Sequence, residues 1–286
     1  MASELRETIP TFNQAEPETG GDDVGLTNWS ALSNQSFAKS WGEAGLIALV
    51  AVALFVGLEL AVRVFNIQSY IFPPPSEIVV QLVTRFPDLF WPHMQITLIE
   101  LLSGFAIGAS IGLVLAAVIT QVPLVEKIIT PYILLLVTTP MIALVPLLIL
   151  IYGFTLTPRI IAVALAVGPM VMINSATGFR RTDLAKIALA RSYGASTFQI
   201  FTKIRFPLAL PMIIVGLMVG AIFGMLTAVG AEMVGGKNGL GNQLMFWSSM
   251  VKMTNFYAII LLLALMGVSI YVIFYWVGKK WAGWQA

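Results

Sequence analysis

"ALARSYGASTFQIFTKIRFPLALP" runs from Ala188 to Pro211 and sets three bases, Arg191, Lys203 and Arg205, inside a chain that otherwise avoids charge. Residue by residue it reads as a helix, a tight corner, a second helix and a return to apolar sequence. Thr182-Asp183 just upstream can open the first helix, with acid at its positive end, and carry it through Tyr193. Gly194 suits the left-handed position that closes a helix. Ser196 and Gln199 have the spacing of a capping box for the second. Pro207 disfavours helix at its predecessor, so the second helix is expected to stop before it. Ala188 and Ala190 keep the first helix slim; Phe198, Phe201 and Ile204 can form an apolar stripe on the second. A slim, capped corner suits two uses: a handle that another protein clasps, or a loop folded on its own bundle.

The surrounding chain says where that corner sits. Of 286 residues, 58% are apolar and 10% charged, with a mean hydropathy of +0.89. A soluble domain has roughly 45–50% and about 25%, so this is an integral membrane protein. With no cysteine, disulfides and cysteine-based metal or redox centres are excluded. A spanning helix needs about 20 apolar residues, and six stretches qualify: about 44–65, between Glu100 and Glu126, between Lys127 and Arg159, between Arg159 and Arg180, from the quoted stretch to about Ala231, and about 255–277. In the first, Glu59 and Arg63 are spaced to pair on one face. In the third, Pro140 and Pro146 are expected to break hydrogen bonds. Freed carbonyls are tolerated where they face protein or a water-filled route, so Pro140, Met141, Leu144 and Pro146 are candidates to line one; the plain alternative is a kink. Between the first two spans, "IFPPPSEIVVQLVTRF" predicts a short amphipathic helix capped by Ser76.

Lysine and arginine fix the orientation. With the N-terminus in the cytoplasm, eleven bases fall inside and five outside. This places the quoted stretch and both termini in the cytoplasm. Residues 1–43 hold seven acids and two bases, a net −5, and are rich in Gly, Ser, Asn and Thr. Such a composition buries too little apolar surface to fold alone, and predicts a solvated cytoplasmic tail. Residues 44–281 form the membrane domain, with the loop at about 182–207.

Few polar groups lie within the spans. Glu232 closes the fifth in "VGAEMVGG" and is read as a gate or path residue, as a structural group paired with Lys237, or as a carboxylate at the interface that is hydrated or caps backbone. Glu100, at the start of the second, is expected to be hydrated. Asn174 in the fourth is expected to hydrogen-bond across helices and is also a path candidate. His93, the only histidine, reads as an interface residue. Gly236-Lys237 is followed by Asn238 and lacks the pattern of a phosphate-binding loop.

The spacing Ala188-Leu189-Ala190, three residues, Gly194, nine residues, Ile204, two residues, Pro207 resembles the cytoplasmic loop of bacterial ABC importer permeases. That family begins the pattern Glu-Ala-Ala; here Ala188 and Leu189 replace the first two. "PPPSEIV", "TLIELLSGFAIGASIGLVLA", "TTPMIALVPLLILIYGF" and "GAEMVGGKNGLGNQL" look like the branch serving nitrate, taurine, alkanesulfonates, bicarbonate and some vitamin precursors such as pyrimidines and flavins. The resemblance covers nearly all of residues 44–280 and implies an all-α, six-span type I importer fold whose loop forms coupling helices. By the same resemblance, Ala188, Ala190, Arg191, Tyr193, Gly194, Ala195, Ser196, Phe198, Gln199, Lys203, Ile204 and Pro207 meet an ATPase groove. It further implies two ATPase subunits holding ATP and Mg, a second permease copy or paralogue, an extracytoplasmic binding protein, a lipid environment in the bacterial inner membrane, and neither chemistry nor cofactor nor nucleic acid for this chain. The rivals are a stand-alone ion-coupled carrier, which would place ionisable groups in mid-membrane, and a membrane scaffold, which leaves the loop spacing unexplained.

Overall fold

A computed structural model describes residues 41–281; residues 1–40 of the expected acidic tail lie outside the described residues. The described elements are helical: α1 (Trp41–Val64), α2 (Pro75–Thr84), α3 (Trp91–Gln121), α4 (Pro123–Thr138), α5 (Met141–Tyr152), α6 (Thr157–Arg180), α7 (Leu184–Ser192), α8 (Thr197–Ile200), α9 (Phe206–Gly235), α10 (Leu240–Ser249) and α11 (Met253–Trp281). π-helical turns at Phe86–Phe90 and Phe201–Arg205 join α2 to α3 and α8 to α9.

Five helical runs are long and apolar enough to cross a membrane, and α4 with α5 makes a sixth candidate, bent by 96°. The bend sits where the sequence places a break. Thr139, preceding Pro140, is extended, as a residue before proline prefers, and Pro140 supplies no N–H. Pro146 lies inside α5 without ending it. An ion pair and a hydrogen bond show that the bent pair is a crossing. The start of α4 is tied to the end of α6 by Glu126–Arg180 at 2.7 Å. The start of α6 is tied to the opposite end of the bundle, where Arg159 reaches the Asn238 carbonyl beyond α9. The chain therefore enters α4 at one end and leaves α5 at the other.

The bundle thus has two ends. One carries α7 and α8, the start of α4 and the basic end of α11 with Lys279 and Lys280. The other carries α2, α10 and the starts of α3, α6 and α11, with Gln81 bonded to Asn255 at 2.6 Å. α1 arrives at this second end through Glu59, near its C-terminus, which accepts from the Ser76 N–H (3.0 Å) and hydroxyl (2.8 Å) and pairs with Arg63 at 2.7 Å. Ser76 is therefore not a helix cap: α2 begins earlier, at Pro75, and the polar start of α2 binds a carboxylate from α1 instead. At 1.5 Å per residue, α1 covers ~36 Å with its 24 residues, the length of a membrane crossing. It buries almost nothing, and Leu46, Leu49 and Leu54 point outward, as on a helix surrounded by lipid.

The core is α6, sandwiched between α3 and α9, with Val163, Val167 and Val171 fully buried. Gly104, Gly108 and Gly112 form a stripe along α3 that lets α6 approach backbone to backbone. A Cβ on Gly108 would lie 2.5 Å from the Ala164 carbonyl oxygen and 2.9 Å from the Val167 Cβ. Between membrane helices, such close packing supplies the association that lipid removes from the hydrophobic effect. Gly108→Leu is therefore expected to destabilise the fold by about 1–3 kcal/mol or more, read as a lower thermal unfolding midpoint in detergent. Gly57→Leu on α1, where an added Cβ meets nothing within 4 Å, should leave the midpoint unchanged.

Candidate functional site

The loop between α6 and α9 forms as its residues dictate. Asp183 caps α7, its carboxylate accepting from the Ala185 N–H at 2.8 Å. The first helix stops at Ser192, and Gly194 takes φ +78°. The Gly194 N–H then donates to the Arg191 carbonyl (2.9 Å) and the Ala195 N–H to that of Ala190 (3.0 Å), satisfying carbonyls that a helix end leaves open. Ser196 and Gln199 complete the capping box in both directions, at 3.2 and 2.8 Å. Ile187 and Ile200 anchor the two short helices to the bundle as buried side chains. Away from them Leu184, Leu189, Tyr193 and Phe198 point outward, Tyr193 84% and Phe198 75% exposed. The expected stripe on the second helix is split: Phe201 packs on Phe179 with ring centroids 5.0 Å apart, while Phe198 faces out.

The second helix does not stop before Pro207. It widens into the π turn Phe201–Arg205 and continues as α9, with Arg205 and Phe206 both helical. A π turn shifts the carbonyl pattern by one residue, so the missing proline N–H is accommodated without a break. The consequence is mechanical. The corner at Gly194 stands on one helical run, Thr197 to Gly235, that crosses the bundle.

At the other end of that run lies a second constellation. Glu232 is fully buried and accepts from the Thr97 hydroxyl and the Gly241 N–H, each at 2.7 Å. Thr97 in turn accepts from the Leu240 N–H at 3.0 Å, and His93 Nδ1 accepts from the Gly239 N–H at 3.2 Å. Three successive backbone donors at the start of α10 are thus met by side chains of α3 and α9, with a carboxylate at the helix's positive end. The sequence "GLG" is what allows it: a Cβ on Gly239 would strike the Glu232 carboxylate, and one on Gly241 would strike the Val229 carbonyl. Beside this cradle, Arg159 pairs with Glu100 at 2.6 Å and donates to the Asn238 carbonyl at 3.2 Å.

Three expectations change here. Glu100 is not hydrated but fully buried, because α3 begins at Trp91, well before it, and Arg159 supplies its counter-charge. Glu232 is not paired with Lys237; it caps backbone, as one of its readings has it, accepting from the Gly241 N–H, and also accepts from Thr97. The spans therefore do contain charge, gathered at one end. Asn174 bonds the Met170 carbonyl of its own helix at 2.8 Å, not a neighbour. Of the remaining path candidates, Pro140 and Pro146 are exposed, Leu144 is half-buried and Met141 is buried, all on or beside the 96° bend. Their helix packs on α9 beside Glu232, Val145 clustering with Ala231 and Ile142 lying against Gly230, whereas Asn174 bonds within α6. Arg159 and Thr97 escaped the reading of the sequence. The available signal was a base opening one span opposite acids near the ends of two others.

Residues 78–283 match the family described as binding-protein-dependent transport system inner membrane component. The chain belongs to this family of permeases. The permease is 27% identical over 230 residues to a probable ABC transporter permease protein of Haemophilus influenzae, covering 80% of this chain and 93% of that one. It is 30% identical over 228 residues to the putative aliphatic sulfonates transport permease protein SsuC of Escherichia coli, covering 79% and 87%. Its fold matches the crystal structure of an amino acid ABC transporter with a TM-score of 0.60 at 17% identity, covering 69% of the permease and 96% of that chain. The permease is an all-helical, multi-pass subunit with a type I importer fold.

Proposed function

We propose that this permease forms the translocation path of an ATP-driven importer of the bacterial inner membrane. Residues 182–207 carry the stroke of two cytoplasmic ATPase subunits. One observation supports this most: the capped corner at Gly194 displays Tyr193 and Phe198 to solvent, yet stands on the helical run Thr197–Gly235 that reaches the far end of the bundle. A ligand biases a conformational equilibrium only through contacts that differ between states, and a handle rigidly joined to a span transmits such a bias. The end bearing α7 and α8 is then cytoplasmic, and with it the described ends of α1 and α11; the end with α2 and α10 faces an extracytoplasmic binding protein. A second permease copy or paralogue completes the path, to which the bent α4–α5 pair contributes Pro140, Met141, Leu144 and Pro146. ATP and Mg belong to the ATPase subunits, and this chain adds no chemistry of its own. The substrate class is a small anion, with a sulfonate first among them on the likeness to the E. coli permease, or a vitamin precursor.

An ion-coupled carrier would share one feature, the buried Glu100–Arg159–Glu232 group. Here its hydrogen-bond partners are backbone groups of residues 238 and 241 and the Thr97 hydroxyl, so it holds the connection from α9 to α10 in place. Affinity purification of the tagged permease from its own host in mild detergent is expected to bring down an ATPase in equimolar or greater amount. Recovery of the permease alone, together with uptake that persists without ATP, would establish the carrier instead.

A further inference from the structure

We propose that the acidic N-terminal segment, residues 1–40, docks on the coupling loop and competes there with the ATPase. This regulation rests on the reading of residues 182–207 as the ATPase-facing surface. Residues 180–207 contain six bases and one acid, Asp183, a net +5. That acid is occupied by the Ala185 N–H, and the neighbouring Glu126 by Arg180. Lys186, Arg191 and Lys203 are exposed and form no ion pair among the described residues. Around them Leu184, Leu189, Tyr193 and Phe198 leave an apolar surface uncovered.

The tail has the complementary chemistry. Residues 1–40 carry six acids (Glu4, Glu7, Glu16, Glu18, Asp22, Asp23) against Arg6 and Lys39, a net −4, and interleave them with Phe12, Trp29 and Phe37. It also starts from the right place on the proposed reading, in which α1 crosses the membrane from its Glu59–Ser76 contact at the α2 end and so begins on the side that bears the loop. Forty residues can extend to about 130 Å, well beyond the ~36 Å length of α1. An anionic leaflet repels acids, and the other bases at that end, Lys127, Lys279 and Lys280, are fewer than the six of residues 180–207. The tail therefore meets the loop's charge with opposite charge and its apolar side chains with aromatic ones, and it is tethered beside it.

The absence of native cysteine gives a clean test in the full chain. Leu189→Cys, reconstituted in nanodiscs, is labelled with a neutral polyethylene glycol maleimide at 50 mM NaCl. A second version carries Glu4→Gln, Glu7→Gln, Glu16→Gln, Glu18→Gln, Asp22→Asn and Asp23→Asn. Labelling is expected to be about fivefold or more slower with the native tail. The difference should vanish at 0.5 M NaCl, where charges are screened beyond a few ångströms. Equal rates at 50 mM NaCl would overturn docking. A chain with the neutralised tail should also retain more of its co-purifying ATPase at low salt; equal retention would overturn the competition. Neither labelling result depends on an ATPase, so protection of Leu189→Cys in a chain that captures no ATPase would overturn the coupling reading while leaving the docking intact.

Discussion

Arg159→Met is expected to cost the permease about 3–5 kcal/mol of stability, the penalty for removing one partner of a buried ion pair. Arg159 is 7% exposed and Glu100 not at all, and they meet at 2.6 Å. The same guanidinium holds the Asn238 carbonyl, in the connection that Glu232 and Thr97 fasten from the other side. Without it the Glu100 carboxylate keeps no counter-charge, and the Asn238 carbonyl loses its donor. The measurement is the unfolding midpoint of the detergent-purified permease. Adding Glu100→Gln to Arg159→Met should recover part of the loss, since the stranded charge is gone. Arg63→Met makes the comparison: its partner Glu59 is also bonded to Ser76, and Arg63 is 61% exposed, so the cost should stay within about 1 kcal/mol. Similar costs for the two arginines would show that the buried cluster is not what fastens this end.

Gly194→Pro is expected to abolish coupled uptake while the protein remains inserted and folded. Gly194 has φ +78° and donates its N–H to the Arg191 carbonyl. Proline holds φ near −65°, has no N–H, and drives its predecessor, here Tyr193, out of helical geometry. The corner must then open, moving Leu189 and Tyr193 relative to Phe198. No neighbouring atom lies within 4 Å of a Cβ at position 194, so the damage stays local. Coupling free energies between sites are typically about 1–3 kcal/mol, a factor of about 5–150, and losing the corner's shape removes most of that. ATP hydrolysis by the complex should persist. Gly194→Asn, which tolerates the left-handed conformation, should retain uptake. Normal uptake with proline would show that the corner's geometry carries nothing.

The features legible in the sequence were those set by local chemistry. Gly194, Ser196, Gln199 and Asp183 cap and turn within a few residues of themselves, and Pro140 breaks the chain where it stands. The features missed depend on residues far apart. Glu100 looks like a charge marking the edge of a span until Arg159, 59 positions later, is placed against it. The cradle of Glu232 needs Thr97 from another helix, and the stripe of Gly104, Gly108 and Gly112 is explained only by the α6 backbone against it. Pro207 misled because helix breaking assumes the α pattern, and a π turn absorbs the defect. Ser76 misled because its good capping chemistry found a better partner, the Glu59 carboxylate of α1.

The most direct measurement of coupling through this loop is photocrosslinking from a single position. Tyr193→Cys, in a chain with no other cysteine, carries a benzophenone maleimide in membranes of the native host. Illumination should yield one dominant adduct, of permease with ATPase. The same reagent on Leu54→Cys, on the lipid-facing surface of α1, should yield none. An ATPase adduct from Leu54→Cys but not from Tyr193→Cys, or none from either position, would contradict the assignment of residues 182–207 as the coupling element.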